Sequence, residues 1–301
     1  MPELPEVETI RGQLAPHLEG ARLSTLEILD PRWCRPLEPA VLTAALAGRR
    51  LHTLSRRGKY LVWALSGDVH LITHLRMTGT LLLDPPTKPP HTRVRLTLQG
   101  PHGGHTVLFV DPRRFGTGEL ARSRADLDAF MARRLGPEPL GPEFSAELLR
   151  ASARGRRAPI KAFLLDQRRI AGVGNIYADE ALFRAGVHPL RPAGRLTARQ
   201  YELLRAGIVD ALSAGVAARG ATIDDFRHVD GVAGSFQDQF LVHRRAGQPC
   251  PTCGTPVVKL VAAGRGTYVC ERCQPRPRRP RSPRPRAGRR YAARSSSSRP
   301  V

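Results

Sequence analysis

Two groups of residues have the types and the spacing for chemistry. Cys250 and Cys253, then Cys270 and Cys273, form two CxxC pairs with 16 residues between them, which is zinc-ribbon spacing. A knuckle such as PCPTCG lets two thiolates point at one tetrahedral ion, and the segment between the pairs forms a hairpin. Two disulfides or a redox-active CxxC would use the same residues. However, no thioredoxin-like strand and helix surround either pair, and nothing in the sequence marks an oxidising compartment. With all four positions cysteine, no coordination position stays open for a substrate, so the ion is read as structural, one Zn2+. Cys34, beside Trp33, stands apart and is read as a small, partly buried residue.

The second group lies at the chain start. Pro2 follows Met1, and a small second residue is compatible with removal of the initiator Met, which would expose the secondary amine of Pro2. An N-terminal amine titrates at about 7.7–8.0, so part of it is unprotonated at neutral pH and able to form an iminium with a sugar or aldehyde carbon. Glu3, next to it, has the chemistry to pass protons, and Glu6 lies on the same helical face. Helix initiation alone would also place proline and glutamate here. On these residues by themselves, both explanations stand.

The chain has 301 residues and a net charge of +22, with 44 Arg but only 4 Lys. In so Arg-rich a sequence, Lys59, Lys88, Lys161 and Lys259 are conspicuous, because an ammonium readily loses its proton and a guanidinium does not. Residues 275–301 carry 10 Arg and no acidic residue, which leaves +12 on the rest. Such a charge favours an anionic polymer as partner, through release of counterions from phosphates. Hydrophobic residues make up 41% of the chain, enough for ordered domains. There is no apolar run of membrane-spanning length and no secretory n-region, so no membrane contact and a cytoplasmic, nucleoid-associated location are expected.

These residues need elements to position them. Val7, Ile10, Leu14 and Leu18 recur at helical spacing over residues 2–19, up to Gly20. From about 21 to 120 the chain reads as short alternating strands (RLSTLEIL, YLVWAL, VHLITHL, RVRLTL, HTVLFV) separated by turns, which predicts a β-sandwich or barrel. DPPTKPPHT holds too many prolines for an inner strand. After about 125 the pattern turns helical, through DLDAFMARRL, SAELLRASAR, PIKAFLLDQ, IYADEALFRAG and TARQYELLRAGIVDALSAGVAARG. The change places a boundary near GPEPLGPE. The Pro-, Arg- and Ser-rich end is expected to be disordered.

Six blocks in order, PELPEVETI, RRGKYL, HLRMTG, DPRRFG, GVGNIYADEALF and GRGTYVCERCQ, together with the cysteine spacing, resemble the formamidopyrimidine-DNA glycosylase family over residues 2 to about 274. The resemblance implies an α+β, two-domain fold: an N-terminal β-sandwich with a leading helix over 1–134, then a helix-two-turn-helix domain over 135–238. A zinc finger over 239–274 and the tail 275–301 follow. It implies Pro2 as the nucleophile on C1′ of a damaged nucleotide, Glu3 as proton donor, and Lys59 as the aid to β-elimination. Arg265 is implied at the finger tip for the following δ-elimination.

Chemistry on a base inside duplex DNA requires that the nucleotide be extruded and the gap filled. Met77, Arg113 and Phe115 match the family's inserted triad, as an apolar wedge plus a guanidinium for the orphaned base. The resemblance places Glu6 near the base pocket, makes His91 a DNA contact, and gathers Lys161, Asn175, Tyr177 and Arg265 as a phosphate clamp. Arg156 and Arg157 are further DNA-contact candidates. The glycines before Asn175 would leave helix N–H groups free for a phosphate. His243 and Arg244 stand where the family commonly has Tyr-Gly, and GATIDDF at 220–226 is shaped like a lesion-recognition loop.

The expected protein is a monomeric base-excision-repair glycosylase and AP lyase for oxidised purines, 8-oxoguanine and formamidopyrimidines, in double-stranded DNA. The alternatives are an endonuclease VIII-type glycosylase for oxidised pyrimidines and a non-catalytic lesion-binding module. The Pro2, Glu3, Lys59 and Arg265 set disfavours the module, since binding alone needs no free amine.

Overall fold

The computed structural model describes residues 1–100, 103–222, 229 and 233–277. Most of the expected recognition loop, 223–226, and nearly all of the arginine-rich tail therefore lie outside the described residues. In chain order the elements are α1 (Leu4–Leu18), β1 (Arg22–Ile28), α2 (Pro39–Leu46), β2 (Leu51–Arg57), β3 (Tyr60–Leu65), β4 (Val69–His74) and β5 (Thr80–Leu83). They continue with β6 (Thr92–Gly100), β7 (Gly103–Val110), β8 (Thr117–Ala121), α3 (Arg124–Arg134), α4 (Ala146–Ala153) and α5 (Ile160–Leu165). Last come α6 (Asn175–Arg184), α7 (Ala198–Ala217), β9 (Val258–Ala262) and β10 (Arg265–Val269).

The strands form two antiparallel four-stranded sheets, ordered β1-β6-β7-β5 and β2-β3-β4-β8. Their facing side chains, with α1 along them, make one core; the α+β architecture with a leading helix is as expected. In β6, Val94, Leu96 and Leu98 point inward while their neighbours are part-exposed, the alternation of a sheet with one wet face. β4 does not alternate: every residue from Val69 to His74 is buried. The reason is α3, whose Leu127 and Phe130 cover Tyr60, Val62 and Ile72 on the outer face, so YLVWAL and VHLITH are apolar on both sides.

Two elements inside the strand region depart from the expected pattern. Pro31–Cys34 is a short 3-10 turn that buries Trp33, and Pro39–Leu46 is a helix that buries Leu42 and Leu46, four apart. Cys34 is buried, and its thiol donates toward the carbonyls of Pro31 and Leu37.

Helix α1 joins the two halves. Val7, Ile10, Leu14 and Leu18 lie in the sandwich core, while Leu4 packs among Ile176, Tyr177 and the other helical-core residues. Helix α6 runs through the second core with Ile176 to Phe183 all buried. Among the described residues no helix is long and apolar enough to cross a membrane.

Strands β9 and β10 form the terminal hairpin, pairing Ala262 with Arg265. Its two turn residues, Ala263 (φ 53°) and Gly264 (φ 68°), both adopt the left-handed conformation that a two-residue hairpin requires. Arg265 is therefore presented at the tip.

Candidate active site

Pro2 and Glu3 are buried at the junction of the two halves. The Leu4 N–H donates to the carbonyl of Gly172 (3.1 Å), fixing the chain start against the loop before α6. The Glu3 carboxylate accepts N–H bonds from Ile176 (3.0 Å) and Tyr177 (3.5 Å). At the helix N-terminus that the glycine block opens, these two N–H groups hold an anion of the protein's own. A Cβ on Gly174 would fall 2.3 Å from Glu3 Cδ, so only glycine leaves room for that carboxylate.

Glu6 is likewise occupied from within. It accepts from the Tyr177 hydroxyl (2.8 Å), the Ala221 N–H (2.7 Å) and the Glu3 N–H (2.8 Å). Burial, followed by the charge of Glu3, raises its pKa against these donors. Glu6 is thus an internal tie from α1 to the chain that follows α7. Tyr177 is 1% exposed and stacks on Phe236, so its hydroxyl serves Glu6 and not a phosphate.

Lys59 sits in the two-residue turn between β2 and β3, after Gly58 (φ 58°), and is buried. Burial lowers its pKa; the charges of Glu3 and Glu6 raise it, and Arg265 lowers it again. These four groups therefore share one electrostatic neighbourhood, although they come from α1, a β turn and the finger tip. Glu138 holds the turn in place: it accepts the Gly58 N–H and pairs with Arg56 (2.9 Å) and Arg57 (3.3 Å). Sequence reading missed Glu138, and an acid in GPEPLGPE gave it no signal.

On the sandwich side, Phe115 is 50% exposed and the Arg113 guanidinium lies 5.0 Å from its ring centroid. Met77 is half-buried on the neighbouring 75–79 turn. Asp111, another residue missed, fastens the two turns: it accepts from the Thr78 hydroxyl and from the N–H groups of Arg113 (3.2 Å) and Gly116 (2.7 Å). A single acid at the head of the arginine-rich block DPRRFG was the available signal. His91 is exposed at φ 66°, and its carbonyl accepts the Asp111 N–H, which places it beside the same turns. Arg156 and Arg157 are exposed after α4, where Arg156 Nε donates to the Ser152 carbonyl.

Arg265 is exposed at the finger tip. Lys161, in contrast, is fully buried and pairs with Asp179 Oδ1 at 2.6 Å, also fully buried. Its ammonium also donates to Thr267 Oγ1 (2.7 Å). It supports the finger strand from beneath and offers nothing to a phosphate. Asn175 Nδ2 donates to the Gly266 carbonyl (3.1 Å), so this side chain too faces the finger.

The four cysteine sulfurs lie within 4.8 Å of one another, with Cys253–Cys270 at 3.5 Å and Cys250–Cys273 at 3.9 Å. Ligands about 2.3 Å from one tetrahedral zinc stand about 3.8 Å apart, so the set fits a single ion. A bound zinc supplies a cross-link between the two knuckles and no open coordination position. Gln274 extends the support, accepting the Cys270 N–H and donating to the Val187 carbonyl.

Residues 1–118 match the formamidopyrimidine-DNA glycosylase N-terminal domain, 135–227 that enzyme's H2TH domain, and 247–276 the zinc finger found in FPG and IleRS. The formamidopyrimidine-DNA glycosylase of Roseiflexus is 45% identical over 281 residues, 91% of this chain and all of that protein. The crystal structure of MutM (Fpg) from Thermus thermophilus superposes with a TM-score of 0.81 at 44% identity, covering 91% of this chain and 98% of that one. Lactococcus lactis Fpg in complex with DNA containing Fapy-dG gives 0.82 at 34% identity, covering 91% and 100%.

Proposed function

The chain belongs to the formamidopyrimidine-DNA glycosylase family, base-excision-repair enzymes with glycosylase and AP-lyase activity on damaged DNA, and on that premise we propose how its own residues divide the work. With Met1 removed, the amine of Pro2 attacks C1′ of an oxidised purine nucleotide extruded from the duplex. The Glu3 carboxylate takes the Pro2 N–H proton as the N–C1′ bond forms and passes it to the departing base; the sugar ring then opens, its O4′ taking a proton from water, and the sugar is held as an iminium on Pro2. Lys59, its amine more readily neutral because it is buried, takes the C2′ proton, and the 3′ phosphate departs with the C3′–O electron pair. Arg265 grips the remaining phosphate and aids the second, δ elimination. Met77, Arg113 and Phe115 fill the vacated stack.

The observation that carries this reading is the burial of Glu3 and Lys59 at the chain terminus, with Arg265 as their charged neighbour from the finger. The Fapy-dG bound by the Lactococcus relative supports an oxidised purine as substrate. Borohydride reduction in the presence of duplex DNA carrying 8-oxoguanine opposite cytosine tests it. A covalent protein–DNA adduct is expected, absent in protein retaining Met1 and in protein whose terminal amine has been acetylated. An adduct that persists when Met1 is retained or the terminal amine is acetylated, or none from wild type with any oxidised base, would overturn it.

A further inference from the structure

We infer that Asp179 is a positioning residue for strand cleavage: through Lys161 and Thr267 it fixes where the finger tip holds Arg265, and so sets the δ step. The inference rests on the role given to Arg265 above.

A two-stranded hairpin is marginal by itself, and the Arg265 side chain is exposed. Its backbone, however, is tied inward. The Arg265 carbonyl accepts the Thr267 hydroxyl at 3.0 Å, and Thr267 is fully buried. The same hydroxyl oxygen accepts from Lys161 Nζ, which also reaches the Gly266 carbonyl at 3.4 Å. Lys161 is held by Asp179 Oδ1; the other oxygen, Oδ2, accepts His243 Nδ1 at 2.8 Å and the Tyr268 N–H at 3.4 Å. One buried carboxylate thus ties α5, the segment before the finger, and β10 together. The His243 ring packs edge-on against Phe240 and Tyr268.

Asp179 lies on the same helix whose first N–H groups grip Glu3. Helix α6 therefore spaces Glu3 and the Arg265 strand relative to each other, the first turn holding one and the second turn the other. A buried ion pair is a poor source of net stability, since desolvation offsets its attraction. The finger already has its cysteine cluster and the apolar contacts of Phe183, Val242 and Val257. What the network adds is position, and a misplacement of about 1 Å costs on the order of a hundredfold in rate.

In the δ step a proton leaves C4′ for solvent water, and the 5′ phosphate departs with the C5′–O electron pair. The test uses full-length, zinc-loaded enzyme in single turnover on end-labelled 8-oxoguanine duplex, resolving excised base, β product and β,δ product. Thr267→Val removes the hydroxyl link while keeping the side-chain shape. We expect excision and borohydride trapping within about twofold of wild type, with the β,δ to β ratio lower by about tenfold or more. Thr267→Ser should restore the ratio. Asp179→Asn should behave like Thr267→Val; because it leaves Lys161 without its counter-ion, the Thr267 pair decides if that variant does not fold. A ratio unchanged in Thr267→Val, or a fall of excision, β and δ in equal proportion, would overturn the inference. Arg265→Ala separates the two claims. If it keeps the δ product, the role of Arg265 fails and the inference with it; if it loses δ while Thr267→Val does not, the inference alone fails.

Discussion

The Tyr177 hydroxyl donates to Glu6 Oε1 at 2.8 Å, joining α6 of the helical half to the first turn of α1. Both groups are fully buried, and burial raises both pKa values, so at neutral pH the phenol remains a donor. Tyr177→Phe deletes one of the three donors to Glu6 and leaves its carboxyl under-satisfied, at a cost of about 1–3 kcal/mol. For a protein of this size, the expected fall in Tm is roughly 2–4 °C per kcal/mol. Thermal denaturation of the two proteins at pH 7 checks it, and equal Tm values would show that Glu6 has no need of the phenol.

Gly174→Ala tests the fit of Glu3. The added Cβ would meet the carboxyl carbon at 2.3 Å, with both oxygens also within 2.6 Å. The carboxylate must therefore move off the Ile176 and Tyr177 N–H groups. Single-turnover excision should fall by about a hundredfold or more, the penalty for misplacing the group proposed to move the proton, while DNA binding, proposed to run through the exposed Arg113 and Arg265, should persist. Wild-type excision in this variant would mean that the carboxylate position is immaterial.

Metal removal bears on the finger. Chelation leaves four thiols within 4.8 Å of one another without a common ligand, and the free energy of zinc binding is also folding free energy for such a hairpin. The expected outcome is loss of amide protection over residues 247–274 and weaker DNA binding, with the sandwich still protected. Hydrogen exchange before and after chelation reads both, and re-addition of zinc should restore them.

What was legible in the sequence was local. The CxxC spacing gave the metal set because four ligands of one type must meet at one ion, and Val7, Ile10, Leu14 and Leu18 gave α1 because burial follows the helical period. Residue type alone did not reveal direction. Lys161, Tyr177 and Glu6 have the chemistry to meet DNA, yet each is turned inward by a partner more than a dozen residues away: Asp179, Glu6 and Ala221. The glycines before α6 looked like a phosphate cradle because the signal is the same for any anion, and the anion here is Glu3. Helix α2 was hidden among strand patterns since only Leu42 and Leu46 of its short span are buried.

His74 gives a pH dependence with a definite sign. Its Nδ1 accepts the Arg76 N–H at 2.9 Å, so the proton of the neutral ring sits on Nε2, and this bond holds Arg76 at φ 56° just before Met77. Burial, then the charges of Arg76 and Lys59, bring its pKa down from 6.5 to about 3. Between those two values the unfolded chain binds a proton that the folded protein does not. Stability therefore rises with pH across this window and is lost as pH falls below 6.5, by about 1.4 kcal/mol per pH unit for one such group. Asp30 and Asp166, whose pKa values are lowered, add to the slope only near and below their unfolded values, and the raised Glu6 opposes it above 4.5. The comparison of wild type with His74→Asn isolates the histidine, since the Asn amide oxygen retains an acceptor for the Arg76 N–H but does not titrate. Urea unfolding free energies at half-unit steps from pH 5 to 7 should show a shallower acid limb in the variant, by the equivalent of one proton at pH 5; parallel limbs would show that His74 is protonated in the folded protein.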